Sequence, residues 1–487
     1  MSRAEGPLAE RLRAIREAPA GPGTVAYFDY DGTVIDGYSA GAFYRKRLRE
    51  LDVGPIELVR TVLSGMRGIR TDDDFREFLS ITLASWKGHS EDELMALGRE
   101  LFKAEIAGQL HAEVWTLVAA HQEQGHQVVM ASSATRFQVV PMAEELGADR
   151  ALVTELEVRE GVLTGRAAGT TLWGPGKAAA VKDDAATHGV DLDVCFGYAN
   201  GTEDVEFLST VGHPVAVSPT DSLRAVAAER HWPVLDCEPR GGLFPTVPDI
   251  ARTAIFYGGM LGGLATAAGA GLLHGSRRRF VDMAGSVGAD VAFGLAGIDV
   301  DVVGAENLVS ARPCVFVFNH QSKFDVPIMM KLLREGFTGV AKKEAASIPV
   351  WGQLFWAADV AFVDRGNTTQ AREALQPAVD KLRDEGISLA VAPEGTRSPT
   401  PRLGRFKKGA FHIAMQAGVP VVPVIIRNAG QLMWRGAQTI REGTVQVVVG
   451  EPIDTSEWVP ERAGQYAEQV RDVFTRTLAA WPGEDAR

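Results

Sequence analysis

The chain has 487 residues, 46% of them hydrophobic and 23% charged, a globular composition too long for one ordinary core. Its formal net charge of -12 excludes the basic footprint of a nucleic-acid binder. Three scattered cysteines, Cys195, Cys237 and Cys314, exclude a disulfide framework, and the opening residues carry no apolar run of a secretory signal.

In chain order, residues 1–23 read as a helical lead-in. From 24 to 237, short apolar runs ("TVAYFDY", "QVVMASS", "DVCFGYA", "PVAVSP") alternate with helical patterns, which predicts a parallel-sheet α/β domain. About residues 38–115 are helical throughout, an insertion after the first strand. Residues 238–300 read as a linker followed by apolar helices, beginning in the Gly- and Pro-rich "CEPRGGLFPTVP" (237–248). "TAIFYGGMLGGLATAAGAGLL" (253–273) is uncharged and as a helix is about 31 Å long, close to one bilayer core. About half of it is Gly and Ala, and "GGMLGG" places small residues four apart, which favours close helix–helix packing. With "SRRR" (276–279) following, the expectation is a monotopic anchor or single apolar helix on the cytoplasmic face of the cell membrane. A buried core helix is the alternative. Residues 301–487 return to strands ("PCVFVFN", "VAFVD", "SLAVAP", "VPVVPVII", "VQVVVG") and helices, a second α/β domain.

The first chemistry lies in "YFDYDGT", where Asp29 and Asp31 stand two apart at the carboxyl end of a strand. Such a pair suits a carboxylate nucleophile with an acid/base neighbour. Ser132 in "VVMASSA", Lys177 in "WGPGK" and Asp204 in "GYANGTED" follow in order. With the helical insertion, this set resembles the haloacid dehalogenase superfamily, in the branch like phosphoserine phosphatase. The resemblance implies a Rossmann-like domain with a helical cap. In it Asp29 attacks phosphorus, while Asp31 protonates the leaving oxygen and later activates water. Ser132, or Ser133 one register on, and Lys177 would hold the phosphoryl oxygens. Mg2+ would bind Asp29, the Asp31 carbonyl, and a loop contributing Asn200 and Asp204. Asn200 stands where that family places an aspartate, and an amide oxygen is a neutral, weaker ligand for Mg2+.

The second chemistry lies in "NHQSKFD". In a continuous helix His320 and Asp325 would point about 140° apart, but a strand-to-helix turn can bring them together. Asp325 would then fix the histidine tautomer and leave the other nitrogen free as a general base. The pair matches the HX4D motif of the glycerolipid acyltransferase family, which contains the 1-acylglycerol-3-phosphate acyltransferases. Three further blocks follow: "VAFVDRG", "PEGTRS", and "GRFKKGAFHIAMQAGVPVVPVII". The resemblance, over 301 to about 455, implies acyl transfer from acyl-CoA or acyl carrier protein to a lysophosphatidate-like acceptor held in membrane lipid. His320 would be the base. Arg365 and Arg397, with Lys407 or Lys408, would hold the acceptor phosphate, and Glu394, Gly395 and Thr396 would shape its site.

The leading expectation is thus an acyltransferase fused to an Mg2+-dependent phosphatase-like domain. Two alternatives stand beside it: a catalytically weak, scaffolding phosphatase-like domain, or a small-metabolite phosphatase as the main activity.

Overall fold

The computed structural model describes residues 6–50, 71–240, 245–274, 277–347, 351–363 and 368–482. The chain divides into two compact units, Met1–Leu243 and Phe244–Arg487.

The first unit is built on β1 (Val25–Phe28), β2 (Gln127–Thr135), β3 (Arg150–Thr154), a hairpin of β4 (Leu156–Arg159) and β5 (Val162–Ala167), β6 (Phe196–Ala199), β7 (His213–Val217) and β8 (Val234–Leu235). Its six-stranded sheet has the order β3-β2-β1-β6-β7-β8, with every neighbouring pair parallel. The central strand β1 is fully buried, as a four-residue apolar run covered on both faces should be. The lead-in forms a helix, Pro7–Glu17, that buries Ile15.

The insertion contains helices Ala40–Arg49, Asp72–Ser85 and Glu91–Leu101. Thr71 with Asp74, and Ser90 with Glu93, close reciprocal capping boxes that start the last two. The hairpin β4–β5, which the apolar pattern does not announce, joins this insertion. Gly88 N–H donates to the Leu163 carbonyl and Leu163 N–H to that of His89, both at 3.0 Å.

The second unit holds β9 (Ile298–Val303), β10 (Val315–Phe318), β11 (Phe337–Lys342), β12 (Ala361–Val363), β13 (Ser388–Val391), β14 (Val421–Ile426) and β15 (Gly443–Val449). Their order is β12-β11-β13-β10-β14-β15-β9. All neighbours run parallel except β14 and β15.

The expected membrane anchor is overturned here. Helices Val247–His274 and Arg277–Ala296 form, yet among the described residues no helix is long and apolar enough to cross a membrane. The cause is compositional, because Gly and Ala supply length without enough apolarity. Their small residues serve packing instead. A Cβ on Gly259 would lie 2.7 Å from the Ala292 Cα, and one on Gly263 2.1 Å from the Gly288 Cα, so the two helices touch backbone to backbone. Phe256 and Met260 turn into the core of the second unit with Ala289, Phe293, Phe324 and Ile328. The second helix carries Asp290, which pairs with Lys331 at 3.0 Å and Arg334 at 2.9 Å. Arg277, expected to mark a lipid-facing flank, instead donates to the Trp356 and Ala357 carbonyls and to Asp359.

Candidate active sites

In the first unit, the carboxyl end of β1 delivers Asp29, whose N–H donates to the Tyr198 carbonyl of β6 at 2.9 Å. Asp29 Oδ1 accepts from Lys177 Nζ at 2.7 Å, and Oδ2 accepts from the Thr33 hydroxyl at 3.1 Å. The Lys177 ammonium also lies 2.6 Å from Asp204 Oδ1, so it bridges two buried carboxylates. Burial works against its charge, but Asp204 and Asp29 hold Lys177 protonated above its ordinary range. The Asp31 carboxylate accepts from the Ser39 N–H at 2.7 Å and the Ser39 hydroxyl at 3.2 Å. Burial nevertheless pushes its pKa up to about 7, against those two bonds, which suits a group that both gives and takes a proton. Ser132, buried near the end of β2, accepts from the Ala134 N–H, whereas Ser133 is tied through its carbonyl to Thr154. Asn200 follows β6, and its amide oxygen accepts from Thr33 at 3.3 Å. Thr33 thus couples Asp29 to Asn200. It was missed in the sequence although it belongs to the quoted "DGT".

The residues suit a hard divalent cation. Asp29, Asp204 and Asn200 supply only oxygen donors, and two buried carboxylates face a single lysine, leaving net negative charge. Burial pushes the Asp204 carboxyl up, with Lys177 opposing, as expected of a carboxylate short of positive partners.

In the second unit, β10 is followed by Asn319, whose side chain extends the sheet by one more rung. Its Oδ1 accepts from the Ile426 N–H at 2.8 Å and its Nδ2 donates to the Ile426 carbonyl at 2.7 Å. The chain then turns into helix Asp325–Leu333. This turn brings the dyad together: His320 Nδ1–H donates to Asp325 Oδ2 at 2.7 Å. The same oxygen accepts from the Gln321 and Ser322 N–H groups at 2.8 and 2.9 Å, so the fully buried carboxylate is held by three donors. With Nδ1 committed, His320 Nε2 is the nitrogen left to accept a proton.

Glu394 supports the histidine from behind. Its Oε1 accepts from the His320 N–H at 2.7 Å, and its Oε2 accepts from the Ser398 hydroxyl at 2.5 Å and the Gly404 N–H at 2.9 Å. Ser398 N–H in turn donates to the His320 carbonyl at 2.7 Å. Gly395 has φ +71° and carries the Lys407 side chain against it: a Cβ there would meet Nζ at 2.9 Å. Thr396 is exposed and Arg397 half-buried. Lys408 goes elsewhere, its Cε lying 3.1 Å from where a Cβ on Gly464 would be. Arg365 lies outside the described residues.

Two cations escaped the sequence reading. Arg435 Nη1 donates to the Arg397 carbonyl at 2.7 Å. Partial burial, and then the Arg397 guanidinium, push both Arg435 and Lys323 below their ordinary pKa ranges. Lys323, Arg397 and Arg435 therefore form one cluster of like charge. Lys323 stands inside "NHQSKFD" and was legible. Arg435, more than a hundred residues on, has no local signal.

An apolar cavity of about 280 Å³ opens in the same unit, lined by Tyr257, Met260, Phe318, Val326, Met329 and Met330 among others. Phe318 stands edge-on to the His320 ring, with centroids 6.1 Å apart.

Comparison with known proteins agrees with this division. The acyltransferase family model matches residues 299–427, and that of the haloacid dehalogenase-like hydrolases matches residues 26–209. The 1-acyl-sn-glycerol-3-phosphate acyltransferase of Limnanthes alba is 33% identical over 205 residues, 42% of this chain and 72% of that protein. Its namesake in Saccharomyces cerevisiae is 35% identical over 186 residues, 38% of this chain and 61% of the relative. Among solved structures, the 1-acyl-sn-glycerophosphate (LPA) acyltransferase of Thermotoga maritima is 26% identical with a TM-score of 0.42, covering 49% of this chain and 99% of that one. The chain belongs to the 1-acyl-sn-glycerol-3-phosphate acyltransferase family and joins a haloacid dehalogenase-like hydrolase domain to its acyltransferase domain.

Proposed function

We propose that the second unit moves an acyl group from a thioester donor, acyl-CoA or acyl carrier protein, to the free hydroxyl of 1-acylglycerol-3-phosphate. The observation that carries this reading is the His320–Asp325 bond, which leaves one imidazole nitrogen free as base. A hydroxyl is a poor nucleophile until a base takes its proton. Nε2 accepts that proton as the oxygen forms its bond to the thioester carbon, and returns it as the thiolate leaves. Lys323, Arg397 and Arg435 offer a cationic cluster for the acceptor phosphate. The cavity beside Phe318 suits an acyl chain. The acceptor is an amphiphile, so the reading includes encounter at a lipid surface, at the cytoplasmic face of the cell membrane.

The test is the purified full chain with acyl-CoA and lysophosphatidate, products read by mass. Acyl transfer, counted as phosphatidate plus any diacylglycerol released from it, should be equal with and without Mg2+. Absence of product with every thioester donor tried would sink the reading. Arg435→Ala is expected to raise KM for the acceptor about tenfold, the loss of one charge-assisted contact, with donor KM unchanged. A selective rise in donor KM would move this arginine to the carrier side.

For the first unit we propose hydrolysis of a phosphomonoester. Asp29 attacks phosphorus, Asp31 gives a proton to the leaving oxygen and then takes one from water, and Lys177 steadies the phosphoryl oxygens. Mg2+, held by Asp29, the Asp31 carbonyl, Asn200 and Asp204, would neutralise charge on the transferred group. A second reading, a catalytically weak scaffold, is favoured by the neutral Asn200 and by Lys177 bridging Asp29 to Asp204. Asn200→Asp separates them. Under the first reading the variant binds Mg2+ more tightly and turns over faster at limiting Mg2+, on a panel of phosphoserine, glycerol phosphate and phosphatidate. Silence in both proteins across a full Mg2+ titration would favour the scaffold.

A further inference from the structure

The first unit contains another group of ligating side chains that the phosphatase chemistry does not use. His111 caps the start of helix Ala112–Glu123, Glu113 lies in its first turn, and Cys237 follows β8 near the end of the unit. Chain order separates them widely, yet one imidazole nitrogen, one carboxylate oxygen and the thiol sulfur all lie within 4.8 Å of one another.

The hydrogen bonding around them is incomplete in a particular way. Glu113 Oε1 accepts from the Glu238 N–H at 3.0 Å, whereas Oε2 is buried without a partner. The His111 Nδ1 is also buried without a partner. His111 is only 2% exposed. Buried polar atoms are nearly always paired, so an orphaned nitrogen and an orphaned oxygen on two side chains clustered with a thiol call for a partner.

We propose that His111, Glu113 and Cys237 bind a structural transition-metal ion of the Zn2+ class, leaving a fourth position to water. One nitrogen, one sulfur and one carboxylate oxygen make a donor set for Zn2+, not for Mg2+ or Ca2+, which take oxygens alone. Metal–ligand distances of about 2.0–2.3 Å would draw the three atoms to roughly 3.5 Å from one another, within reach of rotamer adjustment. Burial keeps the imidazole neutral, its ligating form. Burial, and then Glu113, push the free thiol up to about 12, so binding must displace its proton: Cys237 S–H loses H+ to solvent as the sulfur–metal bond forms. The buried Arg240 acts electrostatically on both His111 and Cys237, which weighs against an ion held by charge alone and leaves thiolate bonding as the main attraction. The ion would tie the chain after β8 to the start of helix Ala112–Glu123, securing the end of the unit.

The experiment uses the reduced, chelator-treated full chain, titrated with Co2+ in saturating Mg2+ so that the phosphatase site is already filled. A single Co2+ should bind with tetrahedral ligand-field bands and a thiolate-to-cobalt charge-transfer band, release about one proton, and be displaced by Zn2+. Cys237→Ser should abolish the charge-transfer band. His111→Asn should weaken Co2+ binding by at least about 100-fold, and Cys195→Ser should change neither. Absence of the charge-transfer band in the wild type, or its persistence in Cys237→Ser, overturns the proposal. Should a variant fail to fold, alkylation of the wild type decides. Zn2+ should slow modification of Cys237 at least tenfold, and equal rates with and without Zn2+ overturn the site.

Discussion

His320→Ala is expected to lower acyl transfer by roughly 10²–10⁴-fold while leaving the fold and acceptor binding in place. The basis is the division of labour in the ring: Nδ1 is spent on Asp325 at 2.7 Å, so only Nε2 can take the hydroxyl proton. Alanine removes that acceptor without unpairing the His320 N–H or carbonyl, which remain bonded to Glu394 and Ser398. Initial rates at saturating donor and acceptor, with circular dichroism on the same samples, check this. Turnover within a few-fold of wild type would end the assignment of His320 as base. Asp325→Asn should be milder in rate, because it misdirects the tautomer without removing the ring, but harsher in stability. The amide keeps its oxygen on the three donors only by burying its NH2 at the Oδ1 position, where no partner awaits it.

Glu394→Ala is expected to fail on both counts. It deletes the acceptor of two backbone N–H groups, His320 and Gly404, and of the Ser398 hydroxyl, in a site only 5% exposed. The hydroxyl can turn to another partner; the two backbone donors cannot. Each buried donor left unpaired costs about 1–3 kcal/mol, so the domain should lose roughly 2–6 kcal/mol. Acyl transfer should fall with it, since the backbone carrying His320 is no longer fixed. Glu394→Gln tests the charge apart from the shape: whichever way the amide turns, its NH2 faces a backbone N–H. Denaturant unfolding of both variants, with activity measured well below the midpoint, separates the two losses. A Glu394→Gln protein as stable and active as wild type would show that this carboxylate is not the pivot described.

How far the sequence foretold all this depended on whether a signal was local. His320 and Asp325 are five apart, and Asp29 and Asp31 two apart, so one turn and one strand end decide their geometry. β10, β13 and β14 are continuous apolar runs and were legible for that reason. By contrast β9, "IDVDVV", alternates apolar with acidic residues because one face of an edge strand is wet, and it was passed over. β11 and the hairpin β4–β5 are weakly apolar and were missed likewise. The expected membrane anchor fails because the segment between 253 and 273 has the length and lack of charge of a membrane helix without its apolarity. The same stripe of Gly and Ala that lowers hydropathy is what lets Gly263 meet Gly288, an outcome decided by the partner helix. Arg435 and Cys237 belong to sites assembled across a hundred residues or more, where spacing carries no information.

The register of β9 has a practical consequence for anyone cutting this gene. The composition shift suggests starting a C-terminal fragment at residue 301, but β9 pairs with β15 from Ile298 onward, rung by rung from Ile298↔Gly443 to Val303↔Val448. A fragment beginning at 301 keeps only Asp301, Val302 and Val303 of that strand. The seven-residue β15, "GTVQVVV", then presents Gly443, Thr444 and Val445 as an unpaired edge with no proline to blunt it. Such a fragment should come out of the cell as aggregate, and one beginning at 245 as dispersed protein. Light scattering of the two preparations, and of a third beginning at 298 that keeps β9 whole but lacks the core residues Phe256, Met260 and Phe293, would separate the part of the strand from that of the helix pair.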